Sequence, residues 1–595
     1  MSQFEFKIHI KKSEYNKSME FRTATENGDA AFSTSGSHCL DFFTRIVRSA
    51  PISDYIDTFR KAWNENTENA IRILMNLRDV RDGKGEKLIP VVILVYLRYS
   101  IDSKLYEEIL RKFIEYGYWK DLLKILEITS RFELETKSVK KITATTLTNQ
   151  VEIKLFAEQL KKDYDLINTQ PQTQTKAQPN KIAITLCAKW APSEKTHFDH
   201  HPIFAAAKIR AVMGLTPKEY RLMLTKLRSH LVLLETLMSQ HRYTEIDFSK
   251  LPSVALMKMK KAFQRDSNSD GVETSERKLL HQSYSDYLAN LAKGQTKVNI
   301  RGIQPHELVD SYLTRHVEFD QLIESQWNAI KNRVFESGAF RNVTAIVDVS
   351  GSMNGQPMTV AIALGILVAE CTKGIYHGKV ITFHERPSWH ILTGSTLKQK
   401  VGCLKNAPWG GSTNLRSVFD MILQNALDAE LASEEMVKTL FIFTDMQFDS
   451  ANHSDQSWES TFESANRRFN ENGYKLPQII CWNLRTSCAK SVPITQNELG
   501  YAMLSGFSAE LLKCILSAQE FTPYSMMLHV LEPYQLPETI INTKTILNIT
   551  PTYLTNLESV VEKSATKKSF KNSNNQTEIE TKTNEIESSS QSESF

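Results

Sequence analysis

The run Val343 to Val349 (VTAIVDV) is short, rich in β-branched residues and apolar along nearly its whole length, so as a strand it must be covered on both faces. A helical pattern follows from Pro357 to Cys371, with proline near the start, where its missing N–H costs least. The alternation recurs. Strand-like runs at Lys379 to Phe383, Thr439 to Thr444 and Gln478 to Trp482 are separated by helical patterns at Leu415 to Leu427 and around Trp458 to Phe469. Apolar strands alternating with helices predict a parallel sheet with helices on both sides, a doubly wound, Rossmann-like α/β domain over residues 340–540.

Upstream the period is helical. Tyr55, Ile56, Phe59 and Trp63, then Ile71, Leu74, Met75 and Leu77, then Leu105, Ile109, Leu110, Phe113 and Ile114 recur at the spacing of one helix face. The pattern resumes at Phe204 to Met213 and in a long segment from Tyr220 to Gln240. Residues 51–335 are therefore expected to form an α-helical repeat region, preceded by a polar N-terminal extension over 1–50. The Gln/Thr/Pro-rich stretch 168–180 is expected to be a flexible linker within it. Residues 541–595 form a C-terminal segment whose Ser/Asn/Glu/Lys composition predicts disorder from about residue 563.

At 595 residues the chain is long enough for several cores. Its longest apolar runs, Leu88 to Leu97 and Val360 to Ala369, fall short of the ~18 residues a membrane-spanning helix needs. The N-terminus lacks an apolar signal region. The seven cysteines, at positions 39, 187, 371, 403, 481, 488 and 514, are odd in number and form no Cys-x-x-Cys pair, the pattern of reduced thiols inside a cell. The expectation is an intracellular, cytoplasmic protein. The net charge of +4 conceals an asymmetry: residues 181–301 carry 20 Lys and Arg against 11 Asp and Glu, whereas residues 341–540 carry 15 against 19.

The sharpest chemical signal is Asp348-Val349-Ser350-Gly351-Ser352, where the first α/β strand ends. Ligands of open parallel sheets collect at the carboxyl ends of strands. Alternation within D-x-S-x-S can aim a carboxylate and two hydroxyls at one point, and an all-oxygen set suits a hard cation such as Mg²⁺ or Mn²⁺. Thr413, just before a helix, and Asp445, directly after a strand, sit at matching ends. The bland alternative is that Asp348 and the serines cap the following helix. A serine hydrolase is disfavoured, since no G-x-S-x-G elbow is present.

Asp348, Ser350, Ser352, Thr413 and Asp445 match the metal-ion-dependent adhesion site of von Willebrand factor A domains at all five positions. That resemblance implies that Ser350 and Ser352 coordinate the ion directly, Thr413 directly or through water, and Asp348 and Asp445 through waters. The resemblance widens to Gly378-Lys-Val-Ile-Thr-Phe383, Trp409-Gly-Gly-Ser-Thr413, Leu440-Phe-Ile-Phe-Thr-Asp-Met446, Cys481-Trp-Asn-Leu484 and Leu504-Ser-Gly-Phe-Ser508. With Leu77 to Glu86, Gly117 to Leu123 and Ala188 to Ser193 upstream, the chain resembles a family of uncharacterised plant, slime-mould and giant-virus proteins with a C-terminal von Willebrand A-type domain. The giant-virus members add the virion as a second expected location. The order of parts also resembles, more distantly, the Ro ribonucleoprotein with its TROVE module, in which a ring of helical repeats binds structured or defective RNA.

That architecture gives the basic helices a functional reading. Lys208, Arg210, Lys218, Arg221, Lys226 and Arg228, with Lys258, Lys260, Lys261 and Arg265, could line an RNA-binding surface, and Tyr284 and Tyr287 could stack on bases. The opposing reading is an ordinary solvated helix face. Trp119 and Trp190 are expected in the core. Asp82 to Lys87 lacks the phosphate-loop pattern and reads as an interhelical turn, and His197, Asp199, His200 and His201 have poor spacing for a metal. The expected function is therefore a non-enzymatic, metal-dependent binding or scaffold protein with RNA as a partner. A protein–protein adaptor, whose partner's acidic group completes the metal site, is the alternative, and a metal-dependent hydrolase the third class.

Overall fold

The computed structural model describes residues 21–48, 50–136, 150–169, 183–267, 271–336, 338, 340–382, 387–407, 413–449, 461–485, 491–516, 521–542, 545–548, 550 and 552–563. The expected linker and tail fall largely outside them, as do residues 409–412, His384 and Cys488. Two compact units are present. One comprises residues up to Pro90 together with Leu234–Ile546, the other Val91–Leu233 together with the residues from Leu547 onward. The chain thus leaves the first unit, builds most of the second, and returns.

The first unit is organised by a six-stranded sheet. Its strands are β1 (Val343–Val347), β2 (Lys379–Thr382), β3 (Ser388–Ile391), β4 (Thr439–Thr444), β5 (Gln478–Asn483) and β6 (Tyr501–Ser505). They lie in the order β6-β5-β4-β1-β2-β3, parallel throughout except for the antiparallel edge pair β2 and β3. The sheet is therefore mixed rather than purely parallel, and β3 and β6 are strands that the apolar runs did not reveal. Every residue of β1 is buried, as its composition demands. The helix Gln356–Cys371 packs on β1 so closely that a Cβ at Gly365 would come 2.3 Å from Val347 Cγ2.

Residues 21–48 are part of the fold and not an extension to it. A short hairpin, Arg22–Ala24 with Ala30–Phe32, leads into the helix His38–Arg45, capped by Ser37, whose Cys39, Leu40, Phe42 and Phe43 are wholly buried. Asn483 of β5 donates from Nδ2 to the Thr44 carbonyl at 3.0 Å, tying this helix to the sheet. The turn after the helix Thr67–Arg78 is tight, as expected: a Cβ at Gly83 would lie 2.3 Å from the Asn76 carbonyl. Residues 234–322 of the same unit have their own apolar cluster, in which Phe248, Phe263, Tyr284 and Tyr287 stack edge and face.

The second unit is helical. It contains Ser103–Tyr116, Trp119–Glu135, Val151–Thr169, Ala205–Val212 and Pro217–Leu231, the last with a Thr216–Glu219 capping box and proline in its first turn. The predicted long helix from Tyr220 to Gln240 is broken, because Val232 takes a left-handed conformation (φ 50°). Residues 552–563 are helical, and Tyr553 seats its ring among Tyr96, Tyr99 and Phe132 at 5.0–6.1 Å. Inside this unit Glu152, fully buried, accepts from Arg98 Nη1 at 2.7 Å and from the Tyr106 hydroxyl at 2.8 Å.

Candidate metal site at a sheet switch point

β1 lies between β4 and β2, so the chain runs outward to one side of β1 and later returns to its other side. Neighbouring parallel strands whose connections diverge in this way leave a crevice at their carboxyl ends. Asp348 and Asp445 are the first residues beyond β1 and β4, and the register sets Val347 opposite Phe443. The topology therefore delivers two carboxylates to one crevice.

Local hydrogen bonds fix the Asp348 carboxylate. Oδ1 accepts from Ser350 N at 3.0 Å, and Oδ2 accepts from the Thr444 hydroxyl at 2.7 Å. The first is a tight Asx-type turn that sends the chain sharply away from the strand and presents Ser350 and Ser352 to the crevice. Their hydroxyl oxygens lie 3.1 Å apart. Helix capping does not account for this arrangement, because the helix Gln356–Cys371 begins beyond Gly355 and takes no side-chain cap.

The second carboxylate is less satisfied. Asp445 Oδ1 accepts from Gln447 N at 3.2 Å, whereas Oδ2 is buried without a hydrogen-bond partner. Burial raises the Asp445 pKa, partly offset by the nearby Ser352 hydroxyl and the Arg485 charge. Burial likewise pushes Asp348 up to about 6, and the neighbouring Asp445 charge adds to that rise against the hydrogen bonds from Ser350 and Thr444. The two buried carboxylates are close enough for the Asp445 charge to act on Asp348, and one Asp445 oxygen has no hydrogen-bond partner. The donor set of carboxylates and hydroxyls is all oxygen, which fits Mg²⁺ or Mn²⁺ and not a soft metal.

Thr413 is buried, and the hydrogen bonds it donates go to neighbours of Asp445 and not to the other four residues. Its N–H donates to Asp449 Oδ2 at 2.6 Å, and its hydroxyl lies 2.9 Å from both the Gln447 carbonyl and Asp449 Oδ1. Asp449 and Gln447 are thus positioning residues that the sequence reading passed over, although the spacing Asp445-x-x-x-Asp449 was visible. Arg485, which donates to the Ser352 carbonyl, and Asn27, whose Nδ2 donates to the Gln447 carbonyl at 2.9 Å and to Thr413 Oγ1 at 3.4 Å, were also passed over. Asn27 lies 386 and 420 positions from Thr413 and Gln447, beyond any local pattern. Among the described residues no group of three His, Cys, Asp or Glu side chains is arranged to hold a metal, so any ion here depends on hydroxyl ligands.

The basic residues divide. Lys208 is wholly buried, with its Nζ unpartnered, and burial draws its pKa down to about 8, so it is not a surface contact for RNA. Arg228 is spent on the segment Ala188–Ser193, donating to the Ala188 and Ala191 carbonyls and to Ser193 Oγ. Arg210 pairs with Glu194 at 3.2 Å, and Lys260 with Asp320. Lys226, though exposed, donates to Asn168 Oδ1. Lys218, Arg221, Lys258, Lys261 and Arg265 are exposed. The two clusters belong to different compact units. Tyr284 and Tyr287 are core residues and cannot stack on bases. Trp119 packs on Phe156 at 5.2 Å and Trp190 near Tyr118 at 6.4 Å, both half-buried. Asp199 accepts from Lys195 N and Ala207 N, a structural use, and His197 Nε2 lies 3.8 Å from Glu127 Oε1. No helix among the described residues is long and apolar enough to cross a membrane.

Family models divide the chain near residue 341, not at the boundaries of the two compact units. Residues 25–154 and 146–340 match the model of a domain of unknown function, DUF2828, and residues 342–545 match a second, DUF7788. A mimivirus protein of Acanthamoeba polyphaga, "Uncharacterized protein L728", is 59% identical over 556 residues, covering 93% of this chain and 95% of that one. The crystal structure of the RO (RSR) protein of Deinococcus radiodurans aligns with a TM-score of 0.33 and 13% identity, over 84% of this chain and 100% of that one. With more than half of its length matched and a relative this similar, the chain belongs to the DUF2828 family, here joined to a DUF7788 domain.

Proposed function

We propose that this protein is a non-enzymatic binding or scaffold protein that holds Mg²⁺ or Mn²⁺ at the β1/β4 crevice and uses the ion to capture an acidic group of a partner. The observation that carries the reading is the orphaned, buried Asp445 Oδ2 beside the Asp348 carboxylate. Ser350, Ser352 and Thr413 would hold the ion, with Asp348 and Asp445 supporting it. With mostly neutral ligands the bound ion would supply an electrophilic point that attracts a carboxylate or phosphate. The motif match to von Willebrand A domains supports the same assignment. A hydrolase is disfavoured by placement: His377 precedes β2, at the amino-terminal end of the strands and away from the crevice, where its Nδ1 sits 3.0 Å from the Thr372 carbonyl.

The test is thermal. Mg²⁺ should raise the melting temperature by mass action, and Asp348→Ala should abolish that response. Equal shifts in both proteins would overturn the assignment. RNA remains the second reading for the partner, supported by the exposed Lys218 and Arg221 in one unit and Lys258, Lys261 and Arg265 in the other.

A further inference from the structure

Three neighbouring strands end in the same local device. Asp348 after β1 accepts from Ser350 N at 3.0 Å, Asp445 after β4 accepts from Gln447 N at 3.2 Å, and Asn483 at the end of β5 accepts from Arg485 N at 3.1 Å. In each case a side chain bonds the backbone two residues on and turns the chain off its strand. At β5 the carboxylate gives way to an amide, and the residue that the turn fixes is an arginine. The sheet order sets β1, β4 and β5 side by side, so the charges at their ends run negative, negative, positive.

Arg485 is held at both ends. Leu484 N donates to the Thr444 carbonyl at 2.9 Å, which carries the β4–β5 pairing to the residue before it, and the bond from Asn483 Nδ2 to the Thr44 carbonyl pins the end of β5. The guanidinium Nη1 donates to the Ser352 carbonyl. A side chain that starts beyond β5 and ends on the loop after β1 passes the end of β4, where Asp445 stands. Its charge acts on Asp445, and among the described residues neither Asp348 nor Asp445 is in an ion pair. Arg485 is therefore the cation that offsets Asp445 through space. A divalent ion on the Ser352 hydroxyl would share that residue with the guanidinium, and two cations so placed repel. Arginine cannot relieve the repulsion by losing a proton. Being half-exposed, it can swing into solvent instead.

We propose that Arg485 is the counter-ion of the empty crevice and regulates the site by competing with the divalent ion: it offsets Asp445 until the ion enters, and the ion then displaces it from Ser352 toward solvent. The proposal rests on the metal assignment made above. Its consequence is a threshold, since the crevice fills only when the ion is concentrated enough to overcome the arginine.

Mn²⁺ titration of the full chain, with the free ion read by electron paramagnetic resonance, tests this together with thermal melts in EDTA. Arg485→Gln should bind Mn²⁺ tighter than the wild type by about tenfold or more, whereas Arg485→Lys, which keeps the charge, should stay within about twofold of it. In EDTA the Gln variant should melt below the wild type, and in an Asp445→Asn background most of that loss should vanish, because the charge that Arg485 offsets is gone. Arg485→Met keeps the apolar stem and carries the same expectations if the Gln chain fails to fold. Wild-type Mn²⁺ affinity in the Gln variant, with binding abolished by Asp348→Ala, would overturn the proposal and leave the metal assignment standing. A Lys variant that gains as much affinity as the Gln variant would overturn it too, since charge would not be the cause. Equal Mn²⁺ binding by the wild type and Asp348→Ala would overturn the metal assignment and the proposal together.

Discussion

Lys84 Nζ lies 2.7 Å from the Ser505 hydroxyl at the end of β6, fully buried, with the Phe43 carbonyl as its second acceptor and the Phe43 ring 4.3 Å away. The turn Asp82 to Lys87 is thus a plug that a single ammonium group fastens to the sheet. Burial draws the Lys84 pKa down to about 7, against an ordinary value of 10.5. Between those values the unfolded chain holds more protons than the folded one, so this residue makes stability rise as pH climbs from 7 toward 10. Lys84→Met should remove that rise in urea melts at neutral and alkaline pH. It should also cost about 2–3 kcal/mol at the alkaline end, where the lost donor is no longer offset by relief of a buried charge.

Asp445→Asn separates the metal site from the fold. Without metal, the variant relieves the repulsion between two buried carboxylates, so it should be as stable as the wild type or more so by about 1 kcal/mol. With Mg²⁺ it should show little of the wild-type thermal shift. Calorimetry with and without the ion checks both halves.

His306 predicts acid sensitivity. Burial, with the charges of Arg48 and Lys87, holds its folded pKa down to about 3 against the ordinary 6.5, so the unfolded chain binds the extra proton in that window and stability falls as pH drops through it. The full loss approaches about 4 kcal/mol at the acid end. His306→Phe should flatten the stability profile between pH 6.5 and 3, measured by chemical denaturation across the range.

Gly365→Ala should destabilise the first unit by about 1–3 kcal/mol, since its Cβ would enter the space of Val347 Cγ2. Adding Val347→Ala should recover part of that loss, giving a coupling energy in a double-mutant cycle. Independent, additive losses would contradict the close packing.

For RNA binding the informative substitutions are Lys218→Glu and Arg221→Glu, which are exposed, and not changes at Lys208 or Arg228, which would break the second unit. If RNA is the partner, the pair should lower affinity and flatten its dependence on salt by about two ionic contacts, read by filter binding over a salt series.

The α/β core was legible because apolar, β-branched runs such as Val343–Val347 and Thr439–Thr444 have no stable alternative to a doubly covered strand. The edge strand Ser388–Ile391, half-exposed and carrying Ser388 and His390, left no such mark. The placement of Asp348 and Asp445 was legible because each directly follows an apolar strand. Asn27 and Arg485 were not, since their roles arise from contacts far apart in the chain. The basic helices misled for a physical reason: a lysine's stem is as greasy as its head is charged, and composition does not say that Lys208 points inward beside Arg98, Glu133 and Glu152.

The seating of Tyr553 among Tyr96, Tyr99 and Phe132 imposes an order of events on synthesis. The second unit's aromatic cluster lacks a ring until residues 552–563 have left the ribosome, about 300 residues after the rest of its helices. The first unit, with its sheet and crevice, is complete at Ile546. A nascent chain can therefore present a finished sheet and crevice while the helical unit still waits for its last piece.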